Sequence, residues 1–167
     1  HGGKKRAKDK FLYRGIRDCV AASLISGGPK GCEYGCIGFG TCVKACPFGA
    51  ITMNDEGLPV VEEQKCVACG RCVAACPKKL FSLVESGKYY AVRCKSLEAG
   101  KNVMQVCSVG CIACHKCEKS CPKGAIKIVN NLAVIDYNIC SNVGECFKVC
   151  PTRAIAIKEN GVWNNAK

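Results

Sequence analysis

Residues 66–77 read Cys66-Val67-Ala68-Cys69-Gly70-Arg71-Cys72-Val73-Ala74-Ala75-Cys76-Pro77, with cysteines at offsets 0, 3, 6 and 10 and a proline directly behind the last. This spacing suits a cubane iron–sulfur core. Three thiolates in a tight loop cap one face of it, and a helical turn carries the fourth away to a second core. Proline then ends the turn without requiring an amide donor. The same offsets recur at Cys111, Cys114, Cys117 and Cys121, ahead of Pro122. Two further copies lack the offset-3 thiol: Cys36, Cys42 and Cys46 before Pro47 have Phe39 there, and Cys140, Cys146 and Cys150 before Pro151 have Val143.

Each copy has a similar sequel. Gly49-Ala50-Ile51, Lys79-Leu80-Phe81, Gly124-Ala125-Ile126 and Arg153-Ala154-Ile155 open short apolar runs. Turn signals follow at Asn54-Asp55-Glu56-Gly57, Glu85-Ser86-Gly87, Asn130-Asn131 and Glu159-Asn160-Gly161. Each motif therefore predicts a ligand loop, a short helix stopped by proline and a hairpin. Two motifs make a module. The expected fold is α+β: two tandem bacterial 2[4Fe–4S] ferredoxin-like modules, at residues 31–93 and 107–164, with a connector at 94–106 and a lead-in at 1–30.

The composition agrees with metal as the organising element. The chain has 167 residues, 18 cysteines and one tryptophan, too little apolar bulk for two ordinary cores. A disulfide scaffold is disfavoured because cysteines this close in sequence pair only through strained loops. The formal charge of +12 counts cysteines as neutral, whereas ligating thiolates are ionised, so the loaded chain is less basic. The basic run Lys4-Lys5-Arg6-Ala7-Lys8 reads as a solvated tail, and nothing in the sequence points to nucleic acid. No run approaches the ~20 apolar residues of a membrane span. No signal peptide is visible, and a start at His1 is expected of a processed product or a piece of a longer protein.

The triplet-plus-one rule assigns ligands. Cys66, Cys69 and Cys72 share a cluster with Cys46, and Cys111, Cys114 and Cys117 share one with Cys150. Cys36, Cys42 and Cys76 need a fourth ligand, and Cys32, four residues before Cys36, is the expected donor. That makes three [4Fe–4S] clusters. At the fourth site Cys121, Cys140 and Cys146 face Val143, which cannot bind iron. Three outcomes are open there: [3Fe–4S], the first choice; [4Fe–4S] with a substitute ligand, for which Asp136 is the candidate; or an empty site. Asp136 otherwise reads as a strand-end residue.

Cys19, Cys94 and Cys107 are left over. Each reads as a small buried hydrophobe, with a redox pair or further metal at Cys94 and Cys107 as the alternative. Cys111-Ile112-Ala113-Cys114-His115 fits the haem-attachment pattern, but both thiols belong to a complete cluster motif. Zinc ribbons rarely carry the third thiol at offset 6 and Cys-Pro at offset 10, so zinc ranks well behind iron–sulfur. No proton-transfer or nucleophilic constellation is present. The expected chemistry is one-electron transfer, without a small-molecule substrate.

Beyond the ligand loops, three longer stretches are informative: Tyr13-Arg14-Gly15-Ile16-Arg17-Asp18-Cys19-Val20-Ala21-Ala22, then Gly27-Gly28-Pro29-Lys30-Gly31-Cys32, then Tyr34-Gly35-Cys36-Ile37-Gly38-Phe39-Gly40-Thr41-Cys42. With Val106-Cys107-Ser108-Val109-Gly110-Cys111-Ile112 and Asn130-Asn131-Leu132-Ala133-Val134-Ile135-Asp136-Tyr137, they resemble the B subunit of the Rnf-type ion-translocating oxidoreductases over nearly the whole chain. That family has cysteines where Cys19, Cys94 and Cys107 stand, and usually a cysteine at the place of Val143. The resemblance implies a relay that takes electrons from reduced soluble ferredoxin and feeds membrane subunits, with NAD as final acceptor and Na+ or H+ moved. It also implies a place on the cytoplasmic side of the membrane, anchored through a segment outside this chain. The alternatives are an autonomous polyferredoxin, a hydrogenase or dehydrogenase cluster subunit, and a module whose metals only stabilise the fold.

Overall fold

The computed structural model describes residues 1–159 and 161–164, so Asn160 of the last predicted turn lies outside the described residues. The chain forms two compact units, Gly2–Leu83 and Val84–Lys167, with His1 grouped with the second. Both units are of mixed α+β structure.

In the first unit, α1 (Cys19–Ser23) precedes α2 (Thr41–Lys44), β1 (Ile51–Met53), β2 (Pro59–Val61) and α3 (Arg71–Ala75). The β1–β2 hairpin is antiparallel, with Ile51 opposite Val61. Its turn is tied by Asn54, whose side-chain oxygen accepts from Leu58 N at 2.9 Å. The lead-in is part of this unit. Lys4 N donates to Glu56 O at 2.9 Å, Lys10 N to Pro29 O at 2.7 Å and Gly31 N to Lys8 O at 2.8 Å. Ala7, Ala22 and Lys30 are buried, and the Lys30 ammonium meets Asp9 at 2.9 Å.

The second unit holds β3 (Tyr90–Val92), α4 (Gly100–Val106), α5 (Lys116–Lys119), β4 (Ile126–Val129), β5 (Leu132–Ile135), α6 (Glu145–Val149), β6 (Ile155–Glu159) and β7 (Val162–Asn164). β4 and β5 pair through Asn130 and Asn131, both at positive φ (47° and 63°), as a two-residue primed turn requires. β3 does not fold back on the sequence before it. It pairs antiparallel with β6, Val92 opposite Ile155, in a sheet of order β3-β6-β7. The expected second hairpin is thus replaced by an edge strand of the second unit. Residues 94–106, expected to connect the modules, carry α4 and bury Val103.

The core of the second unit shows why composition alone left so little to pack. Cys111, Cys117 and Cys150 are buried in one cluster with Ile126, Leu132, Ala133, Ala154 and Ile155. The candidate ligands are themselves core residues, so whatever they bind sits where a larger domain would place aliphatic side chains.

Candidate metal centres

All four ligand loops share one backbone conformation. The residues on either side of offset 3 are left-handed in each: Gly38 and Gly40, Ala68 and Gly70, Ala113 and His115, Asn142 and Gly144. A non-glycine residue held there costs on the order of 1–2 kcal/mol. Ala68, Ala113, His115 and Asn142 take this conformation nonetheless, at φ between 52° and 59°. The residue three positions after the last cysteine of each motif is left-handed too: Gly49, Lys79, Gly124 and Arg153.

The strain aims amides at sulfur. Leu80 N lies 3.5 Å from Cys76 Sγ, Ala125 N 3.3 Å from Cys121 Sγ and Ala154 N 3.3 Å from Cys150 Sγ. These three donors occupy the same offset from their cysteines, which suits thiolate sulfur carrying charge. Helices α2, α3, α5 and α6 begin at left-handed caps with no side-chain cap bond, which leaves their first amides to the ligand loops. Burial raises the thiols of Cys36, Cys42, Cys72, Cys111, Cys117 and Cys146 in the iron-free fold. Cys42 is pushed up to about 11 by burial and by the neighbouring Cys36 and Cys19. Cys146 reaches about 11 through burial and Cys140, and Cys117 about 12 through burial, Cys111 and Cys150. Grouped thiols that repel as thiolates, with amides directed at their sulfurs, are a donor set suited to a cationic iron–sulfur core. Among the described residues no three His, Cys, Asp or Glu side chains close on a single ion.

In the second unit Cys111, Cys114, Cys117 and Cys150 line one cavity of about 310 Å³, its mouth included. Cys94, half-buried, packs against that core, and its charge acts on the Cys111 thiol. At the expected fourth site Cys146 is raised first by burial, and the charges of Cys140 and Cys121 add to the rise. Val143 there is 52% exposed, so the corner without a thiolate faces solvent. Asp136 follows β5, and its carboxylate accepts from Asn138 N at 2.9 Å, a turn-tying role. Two aromatic neighbours of this site have no counterpart in the sequence expectations: Tyr90 and Tyr137 are both raised, first by burial and then by the charges of Cys146 and Cys140. The Tyr137 hydroxyl donates to Tyr90 O at 3.1 Å, and the Tyr90 ring lies 6.2 Å from that of Phe147.

In the first unit Cys66 and Cys69 are exposed and Cys72 half-buried, each of the first two acting electrostatically on the third. Cys46 is half-buried just beyond α2, and its assignment to this group rests on spacing. Cys36, Cys42 and Cys76 line a second cavity, of about 370 Å³ with its mouth. The further thiol in that wall is Cys19, not Cys32. Cys32 lies in the turn before Cys36, where its carbonyl accepts from Gly35 N at 2.9 Å. A sequence signal for Cys19 existed: it precedes Cys36 by the seventeen residues that separate Cys94 from Cys111. Cys107 ends α4, half-buried.

Residues 35–81 match a 4Fe–4S dicluster domain, and so do residues 65–125 and 110–154. The chain is similar to the B subunit of the proton-translocating ferredoxin:NAD(+) oxidoreductase complex of Clostridium ljungdahlii, 56% identical over 92% of this chain and 55% of that protein. It is 43% identical to the B subunit of the ion-translocating oxidoreductase complex of Methanosarcina acetivorans, over 94% of this chain and 60% of that protein. It is 43% identical to the B subunit of the Na(+)-translocating ferredoxin:NAD(+) oxidoreductase complex of Acetobacterium woodii, over 93% of this chain and 46% of that protein. The chain thus spans about half the length of the curated relatives it matches. Among the described residues no helix is long and apolar enough to cross a membrane.

Proposed function

The chain belongs to the 4Fe–4S dicluster family and carries multiple [4Fe–4S] sites; on that premise we propose that it is the electron-relaying part of the B subunit of an Rnf-type complex. It accepts electrons from reduced soluble ferredoxin and passes them to membrane subunits of a ferredoxin:NAD oxidoreductase that moves Na+ or H+. The observation that carries the reading is the fourfold recurrence of one ligand-loop conformation, three copies of which aim an amide at the last cysteine's sulfur, on a chain similar to three such subunits. The relatives' names differ in the ion they move, so neither ion is assigned.

Clusters bound here supply reversible one-electron chemistry. The chain's own residues do the rest. Thiolates hold each core, and the amides of Leu80, Ala125 and Ala154 compensate charge on sulfur. Burial of Cys111, Cys117 and Cys150 shields most of one site, whose fourth thiol, Cys114, is exposed. Exposure of Cys66 and Cys69 opens another to a docking partner, which makes the Cys46–Cys66–Cys69–Cys72 site the natural port for exchange with a soluble donor. Dense thiolate ligation needs a reducing compartment, in keeping with a place on the cytoplasmic side of the membrane.

The test is anaerobic mixing of the purified, loaded protein with chemically reduced ferredoxin. Bleaching of the visible cluster absorption faster than with dithionite alone supports the relay. Clusters that cycle with dithionite yet never with ferredoxin would assign it to another donor, and metals that do not change oxidation state would leave only a structural role.

A further inference from the structure

We propose that Cys19, delivered by the amino-terminal segment, is the fourth thiolate of the site formed by Cys36, Cys42 and Cys76, filling the iron corner that Phe39 leaves without a thiol. The assignment rests on the cluster reading above and goes beyond it by naming a ligand outside the repeat motif.

Three independent features converge. The first is placement: Cys19 shares the wall of one cavity with Cys36, Cys42 and Cys76. The second is a clamp that fixes it there. Asp18 caps α1, its carboxylate accepting from Val20 N at 2.8 Å and Ala21 N at 3.0 Å. The other oxygen of Asp18 accepts from the Thr41 hydroxyl at 2.7 Å, and the same hydroxyl accepts from Cys19 N at 2.8 Å. Thr41 is the first residue of α2 and directly precedes Cys42, so one hydroxyl locks the start of α1 onto a ligand-bearing helix. The third is the fate of position 39. Its backbone keeps the left-handed flanks of the loops that carry Cys69 and Cys114. The Phe39 side chain is instead packed on the lead-in, its ring 5.4 Å from that of Tyr13 and 5.1 Å from the Arg17 guanidinium. The residue that replaces the thiol therefore anchors the segment that supplies a new one.

The second unit gives the comparison within one chain. Cys114 is present there and lines the cavity with its three partners, while Cys94, the counterpart of Cys19 by spacing, is not in that wall. On loading, the Cys19 thiol loses its proton to solvent as the sulfur–iron bond forms, with no change of oxidation state. The cluster then ties the lead-in to the dicluster core.

Iron and acid-labile sulfide per chain, with EPR and Mössbauer spectra, are to be measured on the anaerobically isolated full chain and on Cys19→Ser, Cys32→Ser and the double variants of each with Phe39→Cys. Cys19→Ser should lose about one iron per chain if the core contracts to three irons, or about four if it is lost. Cys32→Ser should keep the wild-type iron and spectrum. Adding Phe39→Cys to Cys19→Ser should restore the lost iron, because its backbone is already that of a ligand. Signals from the Cys46–Cys66–Cys69–Cys72 site report folding of the first unit in every sample. Wild-type iron in Cys19→Ser overturns the proposal. If both single variants lose iron, restoration by Phe39→Cys in the Cys19 variant alone upholds it, and any other pattern overturns it. A wild-type chain without iron–sulfur signals would instead overturn the cluster reading beneath it.

Discussion

Val143→Cys should add about one iron per chain at the fourth site. The loop is already shaped for a ligand: Asn142 and Gly144 have φ of 58° and 85°, against 55° and 75° for Ala68 and Gly70 around Cys69. No backbone rearrangement is needed. Val143 is 52% exposed, so trimming one carbon from it costs roughly half of the ~0.8 kcal/mol of a buried methylene, about 0.4 kcal/mol. That is too small to unfold the unit, and any change of iron content reports ligation. The wild-type chain, with Cys121, Cys140 and Cys146 alone, should show a nearly isotropic oxidised-state EPR signal of about one spin, as three thiolates hold a [3Fe–4S] core. In the variant that signal should vanish when oxidised and a further reducible [4Fe–4S] spin should appear with dithionite. Iron unchanged by the substitution, with no oxidised-state signal in either protein, would refute the three-iron reasoning and leave a core completed by a non-cysteine ligand or an empty site.

Three further outcomes follow from the same geometry. Thiols raised to about 11 at Cys42 and Cys146 and about 12 at Cys117 are protonated in the iron-free fold at neutral pH, so each must release a proton to bind iron; reconstitution from iron and sulfide should strengthen as pH rises, as titration with proton-release measurement would show. Because those thiols are raised above their ordinary value of 9.0, their stabilising contribution to the iron-free fold is complete below about pH 9 and lost toward pH 11–12; alkaline circular-dichroism melts should show the apo chain failing in that window. Anaerobic chelation should dissolve the tertiary structure of the second unit, since three of the eight residues in its main buried cluster are candidate ligands, and near-ultraviolet dichroism that survives full iron removal would contradict this. Gly144→Ala should destabilise the chain by about 1–2 kcal/mol, because an L-residue is strained at φ 85° and its Cβ would collide with the Tyr90 hydroxyl; an unchanged melting temperature would refute that contact.

What the sequence disclosed depended on range. Ligand loops are local devices, so the spacing at 66–77 and 111–122 is enough to expect the turns, the short helices and the gathering of Cys111, Cys114, Cys117 and Cys150. The Asn130-Asn131 turn is legible because a two-residue primed turn demands those residues at positive φ. Partnership across the chain is not. Tyr90-Ala91-Val92 reads as a strand, yet nothing local says that it pairs with Ile155-Ala156-Ile157. Cys32 is the expected donor because it is near Cys36 in sequence, whereas the Asp18–Thr41 clamp brings Cys19 across a separation of seventeen residues. Tyr90 and Tyr137 are invisible to such a reading because aromatic residues beside a site carry no spacing signature.

The two departures at offset 3 share a physical logic. Loop backbone is held by features that do not involve that side chain: the left-handed flanks and the proline stop, joined at Cys150 by an amide aimed at the offset-10 sulfur. Position 39 or 143 can therefore change without disturbing its neighbours, and the change falls on a single iron corner. At Phe39 the ring is covered by Tyr13 and Arg17, which lets a large apolar side chain pack and ties down a segment with a thiol of its own. Val143 has no comparable cover, and its side chain stands half in water. One substitution thus preserves a four-thiolate site by recruiting a distant chain segment, whereas the other leaves an open corner whose chemistry depends on what solvent can offer.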